Sequence, residues 1–104
     1  MRADEILENG AQTFRDRRPI YGENYRNFGK VMMGYFPEGL TIETEEEWNR
    51  LGLFVMGVHK DTRYATMFKR GGHVDSAHDG MVYNAMLEEV TRDGLLMTTG
   101  TNKK

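Results

Sequence analysis

The stretch GGHVDSAHDGMVYNAMLEEV, residues 71–90, decides the fold of this chain. After its two glycines, apolar residues recur at helical spacing, which predicts an α-helix from near Val74 to Thr91. At roughly 100° per residue these positions form one broad arc, which we expect to face the core. The arc consists of Val74, Ala77, Met81, Val82, Ala85, Met86 and Val90.

Two aspartates, Asp75 and Asp79, stand within that arc, four residues apart and therefore one helical turn from each other. An ionised carboxylate taken out of water without a partner destabilises the fold by several kcal/mol, so the pair predicts a nearby cation. The cation would be a divalent metal or a basic residue of another helix, or, for Asp75 alone, the N–H groups of the helix end. The alternative is structural, with Asp75 as the helix cap and Asp79 paired with a neighbouring arginine.

A capping box opens the preceding helix, in the stretch TEEEW at residues 44–48. Thr44 can accept a hydrogen bond from the first turn while Glu47 reaches back, which predicts a helix from Thr44 to about Ala65. We expect its core stripe to consist of Trp48, Leu51, Val55, Val58 and Thr62.

Two further helices are predicted upstream. ADEILENGAQTF, residues 3–14, carries apolar residues at helical spacing, and Pro19 and Gly22 then predict a break and a loop. ENYRNFGKVMMGYF, residues 23–36, predicts the next helix, which ends at Pro37.

The whole pattern predicts an all-α protein, because alternating strands and hairpin dipeptides are missing from the sequence. Its 104 residues suffice for one small domain. We assign residues 1–94 to a single four-helix domain and residues 95–104 to a short C-terminal tail.

Charge and composition exclude several classes of protein. The formal net charge of −2 gives no field that would attract duplex nucleic acid. No apolar stretch is long enough to cross a bilayer, and no signal peptide is recognisable. The sequence contains no cysteine, which excludes disulfides and thiolate metal sites and fits a cytoplasmic protein.

Basic residues follow each other in HKDTR, residues 59–63, at the end of the third predicted helix. Lys60 and Arg63 could bind phosphate beside a metal held by Asp75 and Asp79. Alternatively, they are a solvated helix end that the helix dipole favours. The acidic residues at 43–47 also have two interpretations. They form a solvated first helical turn, or they supply ligands to a metal.

Three stretches together resemble a small, phage-associated family of MazG-like proteins. They are RRPIYGENYRNF at 17–28, HKDTR at 59–63 and HVDSAHDGMVY at 73–83, and the likeness extends from about Ile6 to Glu89. The positions that match the family's motifs are Tyr21, Gly22, Lys60, Arg63, His73, Asp75, Ser76, Asp79 and Tyr83.

The resemblance implies an all-α, MazG-like four-helix bundle that assembles into dimers or tetramers. Active members convert a nucleoside or deoxynucleoside triphosphate into the monophosphate and pyrophosphate with magnesium, for which manganese can substitute. A phage-encoded member would act in the host cytoplasm. The family's metal pattern is E-x-x-E on one helix and E-x-x-D on the next. In this chain the E-x-x-E lies at Glu43–Glu46, by the helix start, and Arg50 and Leu51 stand at the mid-helix positions.

If the chain is such an enzyme, we expect a role for each candidate residue. The expected metal ligands are Asp75 and Asp79, with Glu45 or Glu47 from the third helix, and Lys60 and Arg63 would neutralise the departing pyrophosphate. The expected nucleotide-binding residues are Arg17, Arg18, Tyr21, Tyr25, His73 and Tyr83, with Tyr21 or Tyr25 stacked on the base.

Other functions fit the same sequence. One is a catalytically silent module that binds a nucleotide or a host protein, and another is a purely structural helical oligomer. His73 and His78 can likewise be surface or core histidines without any ligand.

Overall fold

The computed structural model describes residues 1–99, apart from the side chains of Tyr21 and of residues 97–99. Within this range every regular element is a helix, which confirms the all-α prediction. The helices are α1 (Ala3–Tyr21), α2 (Asn24–Tyr35), α3 (Glu45–Thr66) and α4 (Val74–Thr99), and a short 3₁₀ turn covers Phe68–Arg70. No helix in this part of the chain combines the length and the apolar character that a membrane span requires.

The start of α3 is fixed by the predicted capping box. The Thr44 hydroxyl accepts a hydrogen bond of 3.1 Å from the Glu47 N–H. In return, Glu47 Oε1 accepts the N–H groups of Thr44 and Glu43, each at 2.9 Å. Three donors that the helix cannot satisfy internally are therefore paired before the first turn is complete.

Helices α3 and α4 form an antiparallel hairpin, and glycines lie along their contact. A Cβ added at Gly57 would lie 3.8 Å from Asn84 Oδ1, and one at Gly80 would lie 3.8 Å from Lys60 Cβ. The first half of α4 thus meets the second half of α3, and further along a Cβ added at Gly94 would lie 3.7 Å from Nη1 of Arg50, near the start of α3. The turn between them contains Gly72 at φ +93°, where an added Cβ would lie 2.7 Å from the Tyr64 ring. Only glycine fits there without displacing that ring.

The face that α4 turns toward α3 differs from the predicted one. Ser76 and Gly80 are buried, and the half-buried positions that continue this face are Tyr83, Leu87, Val90, Thr91 and Gly94. The predicted apolar arc was wrong, because all of its members except Val90 are exposed, Val74 to 83% and Met81 to 61%. Ser76 and Gly80 allow the two backbones to approach, and larger side chains such as Leu87 continue the same face, whereas Met81 and Met86 stay exposed.

Helix α1 continues through Pro19 to Tyr21, so the predicted break at Pro19 was wrong. Proline cannot donate a backbone hydrogen bond and its ring crowds the preceding turn, but Pro19 lies in the last turn of α1, which ends two residues later. The break comes at Gly22, whose φ of +57° is a conformation that side chains disfavour. Helix α4 is also longer than predicted and continues through Gly94 to Thr99. The remaining tail residues, 100–104, lie outside the described residues.

Helix α2 packs on α3 through aromatic rings. Phe28 stacks on His59 with ring centroids 5.1 Å apart, and Tyr35 and Phe36 both meet Phe54 edge-on, at 5.1 and 5.8 Å. Helix α3 is therefore the central helix of the chain, since α1, α2 and α4 all contact it.

The chain is open and elongated for its length. Its radius of gyration is 17.7 Å, compared with roughly 13 Å for a compact domain of this size. Val58 is the one large apolar side chain that is buried among the described residues. The four helices therefore share very little core within a single copy.

Candidate functional site

A cavity of about 450 Å³ lies where the end of α1, the start of α2 and the second half of α3 converge. Its lining combines cationic, aromatic and hydroxyl-bearing side chains with two glycines. These residues are Gly10, Thr13, Phe14, Arg17, Arg18, Gly22, Asn24, Tyr25, His59, Thr62 and Arg63. We refer to this feature as the basic cavity.

Local hydrogen bonds bring the three helices together around the basic cavity. The Gly22 N–H donates to the Arg18 carbonyl at 2.8 Å and closes the end of α1. Two residues later, the Asn24 amide donates to the Thr62 carbonyl at 3.2 Å and to the Thr66 hydroxyl at 3.0 Å. The start of α2 is thus attached to the last turns of α3, and the turn at Gly22 redirects the chain between α1 and α2.

The basic cavity carries a concentrated positive charge on a chain whose net charge is negative. Arg17 and Arg18 reach it from α1 and Arg63 from α3, and no acidic side chain belongs to its described lining. Just outside, Glu23 lies 3.7 Å from Arg18 and 3.5 Å from Arg26, both as exposed ion pairs. Exposed pairs of this kind are weak, so they leave the cavity suited to an anion with several oxygen acceptors.

Aromatic rings form a second wall of the basic cavity. Phe14 and Tyr25 meet edge-to-face with centroids 6.1 Å apart, and the Arg18 guanidinium lies 5.8 Å above the Phe14 ring. Tyr25 lines the cavity and remains 65% exposed. The cavity therefore offers a flat apolar surface beside its cationic groups.

Several residues predicted from the sequence meet at this cavity. Arg17, Arg18, Tyr25 and Arg63 all line it, whereas the side chain of Tyr21 lies outside the described part of the structure. Phe14 was not predicted, although it stands one turn before Arg17 and Arg18 on the same face of α1. That spacing is the signal that could have identified it.

A second group of predicted residues lies between α3 and α4. Lys60 Nζ is 3.4 Å from Asp79 Oδ2 and 6.0 Å from the centre of the Tyr83 ring. Of the partners considered for Asp79, a basic residue of another helix is the one found. This group does not belong to the lining of the basic cavity.

Asp75 and His73 have separate surroundings at the start of α4. The His73 carbonyl accepts the Ala77 N–H at 3.1 Å, so His73 holds the cap position and Asp75 is the second helical residue. Asp75 is exposed, so both the inward orientation and the cap role predicted for it were wrong. His73 Nδ1 shares a hydrogen bond of 2.6 Å with the hydroxyl of buried Ser76, which satisfies that hydroxyl.

Glu45 and Glu47 lie at the opposite end of α3 from Lys60. Thirteen or more helical residues separate them from it, which corresponds to roughly 20 Å along the axis. The N–H groups of Glu43 and, next, Thr44 donate to Glu47 and hold the pKa of its carboxyl below its ordinary value. The four predicted metal ligands are therefore not brought together within one chain, and residues 1–99 contain no cluster of three or more metal-binding side chains.

No protein-family model, no curated protein and no solved structure matches this chain.

Proposed function

We propose that the chain binds a nucleotide in the basic cavity, with the phosphates at the arginines and the base against the aromatic wall. The observation that supports this most is that three arginines and two aromatic residues line one cavity of about 450 Å³. Small-molecule sites have volumes of roughly 300–1,000 Å³ and combine apolar walls with a few oriented polar groups.

Two kinds of lining residue suit the two parts of a nucleotide, its phosphates and its base. Arginine presents a planar set of donors that matches phosphate oxygens, and Arg17 and Arg63 approach the cavity from different helices. The exposed ring of Tyr25 would stack on a base, and the hydroxyls of Thr13 and Thr62 would supply polar contacts. Because a stacking surface accepts any base, this arrangement favours recognition of phosphates over recognition of one particular base.

A nucleotide-binding module without catalysis is the form of this proposal that the geometry supports best. Magnesium-dependent hydrolysis of a nucleoside triphosphate to the monophosphate and pyrophosphate is the second candidate, favoured by the order of the MazG-like motifs. The carboxylates of one chain do not fit the metal site that this reaction would need, because Asp79 pairs with Lys60 and the others lie apart. A homo-oligomer or a host-protein target stays a prediction made by the resemblance.

Binding can be tested by equilibrium dialysis with ATP, dATP and inorganic pyrophosphate as probes. A charge-assisted hydrogen bond contributes roughly 1.5–3 kcal/mol, so Arg17→Gln should weaken binding about tenfold or more. Arg15→Gln is the matched control, since Arg15 lies on the same helix and donates to Gln12 at 2.9 Å outside the cavity. Equal losses in the two variants, or no binding of any probe, would contradict the proposal.

Stacking and catalysis need separate measurements. Tyr25→Leu should weaken ATP more than pyrophosphate, whereas Tyr25→Phe should keep the affinity for both. Release of pyrophosphate from ribonucleoside and deoxynucleoside triphosphates with magnesium, if abolished in Asp79→Asn, would establish the hydrolase. Tight binding without any pyrophosphate release would establish the silent module.

A further inference from the structure

A second cavity, of about 300 Å³, lies between α3, α4 and the segment that joins α2 to α3. Most of its lining is apolar and comes from all of these parts of the chain. The apolar lining residues are Phe36, Leu40, Ile42, Leu51, Phe54 and Leu87. We call this feature the apolar cavity. Its described lining shares no residue with that of the basic cavity, so a ligand of one does not depend on a ligand of the other.

Two side chains of opposite charge also line the apolar cavity. Glu47 and Arg50 stand three residues apart on α3, which makes them neighbours on one side of that helix. Both are half-buried, so their charges are partly removed from water. None of the ion pairs among the described residues joins Glu47 to Arg50. The cavity therefore presents an anion and a cation side by side, and neither neutralises the other through a direct contact.

The guanidinium of Arg50 keeps its donors for a ligand. Arg50 makes no hydrogen bond or ion pair with another described residue, whereas Arg18, Arg26 and Arg92 each pair with a glutamate. Its Nη1 reaches toward α4, where a Cβ added at Gly94 would lie 3.7 Å away. A planar guanidinium with unused donors matches the two oxygens of a carboxylate.

The carboxylate of Glu47 has one oxygen in the helix cap and one outside it. Oε1 accepts the N–H groups of Glu43 and Thr44 at 2.9 Å and the Thr44 hydroxyl at 3.2 Å. The cap uses only this oxygen, so Oε2 can accept a further hydrogen bond. The same N–H groups and, less strongly, Arg50 hold the pKa of Glu47 below its ordinary value, so the group is charged at neutral pH.

We propose that the apolar cavity binds a free α-amino acid with an apolar side chain, such as leucine or phenylalanine. Arg50 binds its carboxylate and Glu47 its ammonium group, two charges that an amino acid carries on a single carbon. A ligand with a carboxylate alone would meet repulsion from Glu47, and an amine alone would meet repulsion from Arg50. A ligand that carries both charges is complementary to both groups.

The apolar wall selects the side chain of the amino acid. Phe36 and Phe54 meet edge-to-face with ring centroids 5.8 Å apart, and Leu87 completes the wall from α4. Leu40 is 49% exposed, so a ligand that covers it removes further apolar area from water. The volume lies at the lower end of the range of small-molecule sites, roughly 300–1,000 Å³, which suits a ligand as small as one amino acid. A charged side chain would lose its hydration against this wall without gaining a partner.

The ligand class can be tested on the full wild-type chain by isothermal titration calorimetry at pH 7. L-leucine and L-phenylalanine should bind, whereas N-acetyl-L-leucine and L-leucinamide, which each lack one charge, should bind at least about tenfold more weakly. L-glutamate and L-lysine should bind more weakly still. N-acetyl-L-leucine bound as tightly as L-leucine would show that a carboxylate alone suffices, as at the C-terminus of a peptide, and would overturn the proposal.

The role of Arg50 needs a variant and a matched control. Arg50→Gln should weaken L-leucine about tenfold or more but leave the affinity for L-leucinamide unchanged, since that ligand has no carboxylate. A merely structural role of Arg50 would weaken both ligands equally. Arg92→Gln is the control, because Arg92 lies on α4, pairs with Glu88 at 2.6 Å and does not belong to the described lining of the apolar cavity.

The two cavities can be assessed separately in the same variants. Arg50→Gln should bind ATP as the wild type does, because Arg50 does not line the basic cavity, and circular dichroism should show the same helix content. Loss of ATP binding would therefore leave the leucine measurements interpretable, and the reverse also holds. A wild type that binds neither L-leucine nor L-phenylalanine, or equal losses of leucine affinity in Arg50→Gln and Arg92→Gln, would overturn the proposal.

Discussion

Lys60 holds its ammonium group 3.4 Å from the carboxylate of Asp79, and the two side chains differ sharply in exposure. Lys60 is 13% exposed, whereas Asp79 is 45% exposed. The lysine is therefore the member of the pair that depends on its partner, because it is the group removed from water. The pair lies beside Gly80, where an added Cβ would be 3.8 Å from Lys60 Cβ.

Removing the carboxylate should destabilise the chain modestly. Asp79→Asn leaves the ammonium of Lys60 without its counter-charge, and we expect a loss of about 0.5–1 kcal/mol because Asp79 is partly solvated. Lys60→Met should be less destabilising, since it removes the charge as well as the pair. Urea unfolding of both single variants and of the double variant gives the coupling energy, and a coupling of zero would contradict this account.

Two glycines of the hairpin should respond to alanine in opposite directions. At Gly80 the added Cβ lies 3.8 Å from Lys60 Cβ, an ordinary contact, so Gly80→Ala should stabilise by up to about 1 kcal/mol. At Gly72 the Cβ lies 2.7 Å from the Tyr64 ring and φ is +93°, so Gly72→Ala should destabilise by more than about 1 kcal/mol. Thermal melts at one protein concentration distinguish the two, and the same sign for both would be inconsistent with the described turn.

The hydroxyl of Thr44 should contribute to stability through the first turn of α3. It accepts the Glu47 N–H at 3.1 Å, and replacing such a cap by alanine costs about 1 kcal/mol. Thr44→Ser keeps the acceptor and serves as the control, with stability close to that of the wild type. A Thr44→Ala chain as stable as the Thr44→Ser chain would show that the cap contributes nothing.

Acid should weaken the same cap through Glu47. The N–H groups of Glu43 and Thr44 lower the pKa of this carboxyl from its ordinary value of 4.5. Its contribution to stability is therefore complete above pH 4.5 and is lost as the pH falls through the lowered pKa. Glu47→Gln should flatten the acid limb of the stability profile, measured by urea unfolding at several pH values, and an unchanged limb would count against the role of this group.

The parts of the fold that depend on neighbours in sequence were predictable. Thr44 and Glu47 form the capping box that their spacing predicts, and Gly22 ends α1. The orientation of α4 was not predictable in this way. The spacing of its apolar residues identifies an apolar face but does not show whether that face packs on another helix. Buried Ser76 and Gly80 carry little hydrophobicity, yet they lie on the face that meets α3, where their small side chains allow close approach.

The candidate site likewise contains residues that nearby sequence predicts and contacts that only the tertiary fold creates. Arg17, Arg18 and Tyr25 are close in sequence to the turn at Gly22, so local reasoning identified them as a group. Their meeting with Arg63 depends on the Asn24 hydrogen bonds to the end of α3, a tertiary contact that no local pattern indicates. Glu45 and Asp79 both carry carboxylates, which are common metal ligands. Glu45 lies at the start of α3, however, whereas Asp79 lies beside Lys60 near the other end of that helix.

Among the described residues Val58 is the one buried apolar side chain, and this bears on the heat capacity of unfolding. Unfolding normally raises the heat capacity by about 12–15 cal/mol/K per residue, because apolar groups become hydrated. In an isolated copy most of those groups are hydrated already, so the increment should be small and the melting transition broad. A sharp transition whose midpoint rises with protein concentration would instead show how much of the hydrophobic driving force lies between chains rather than inside one.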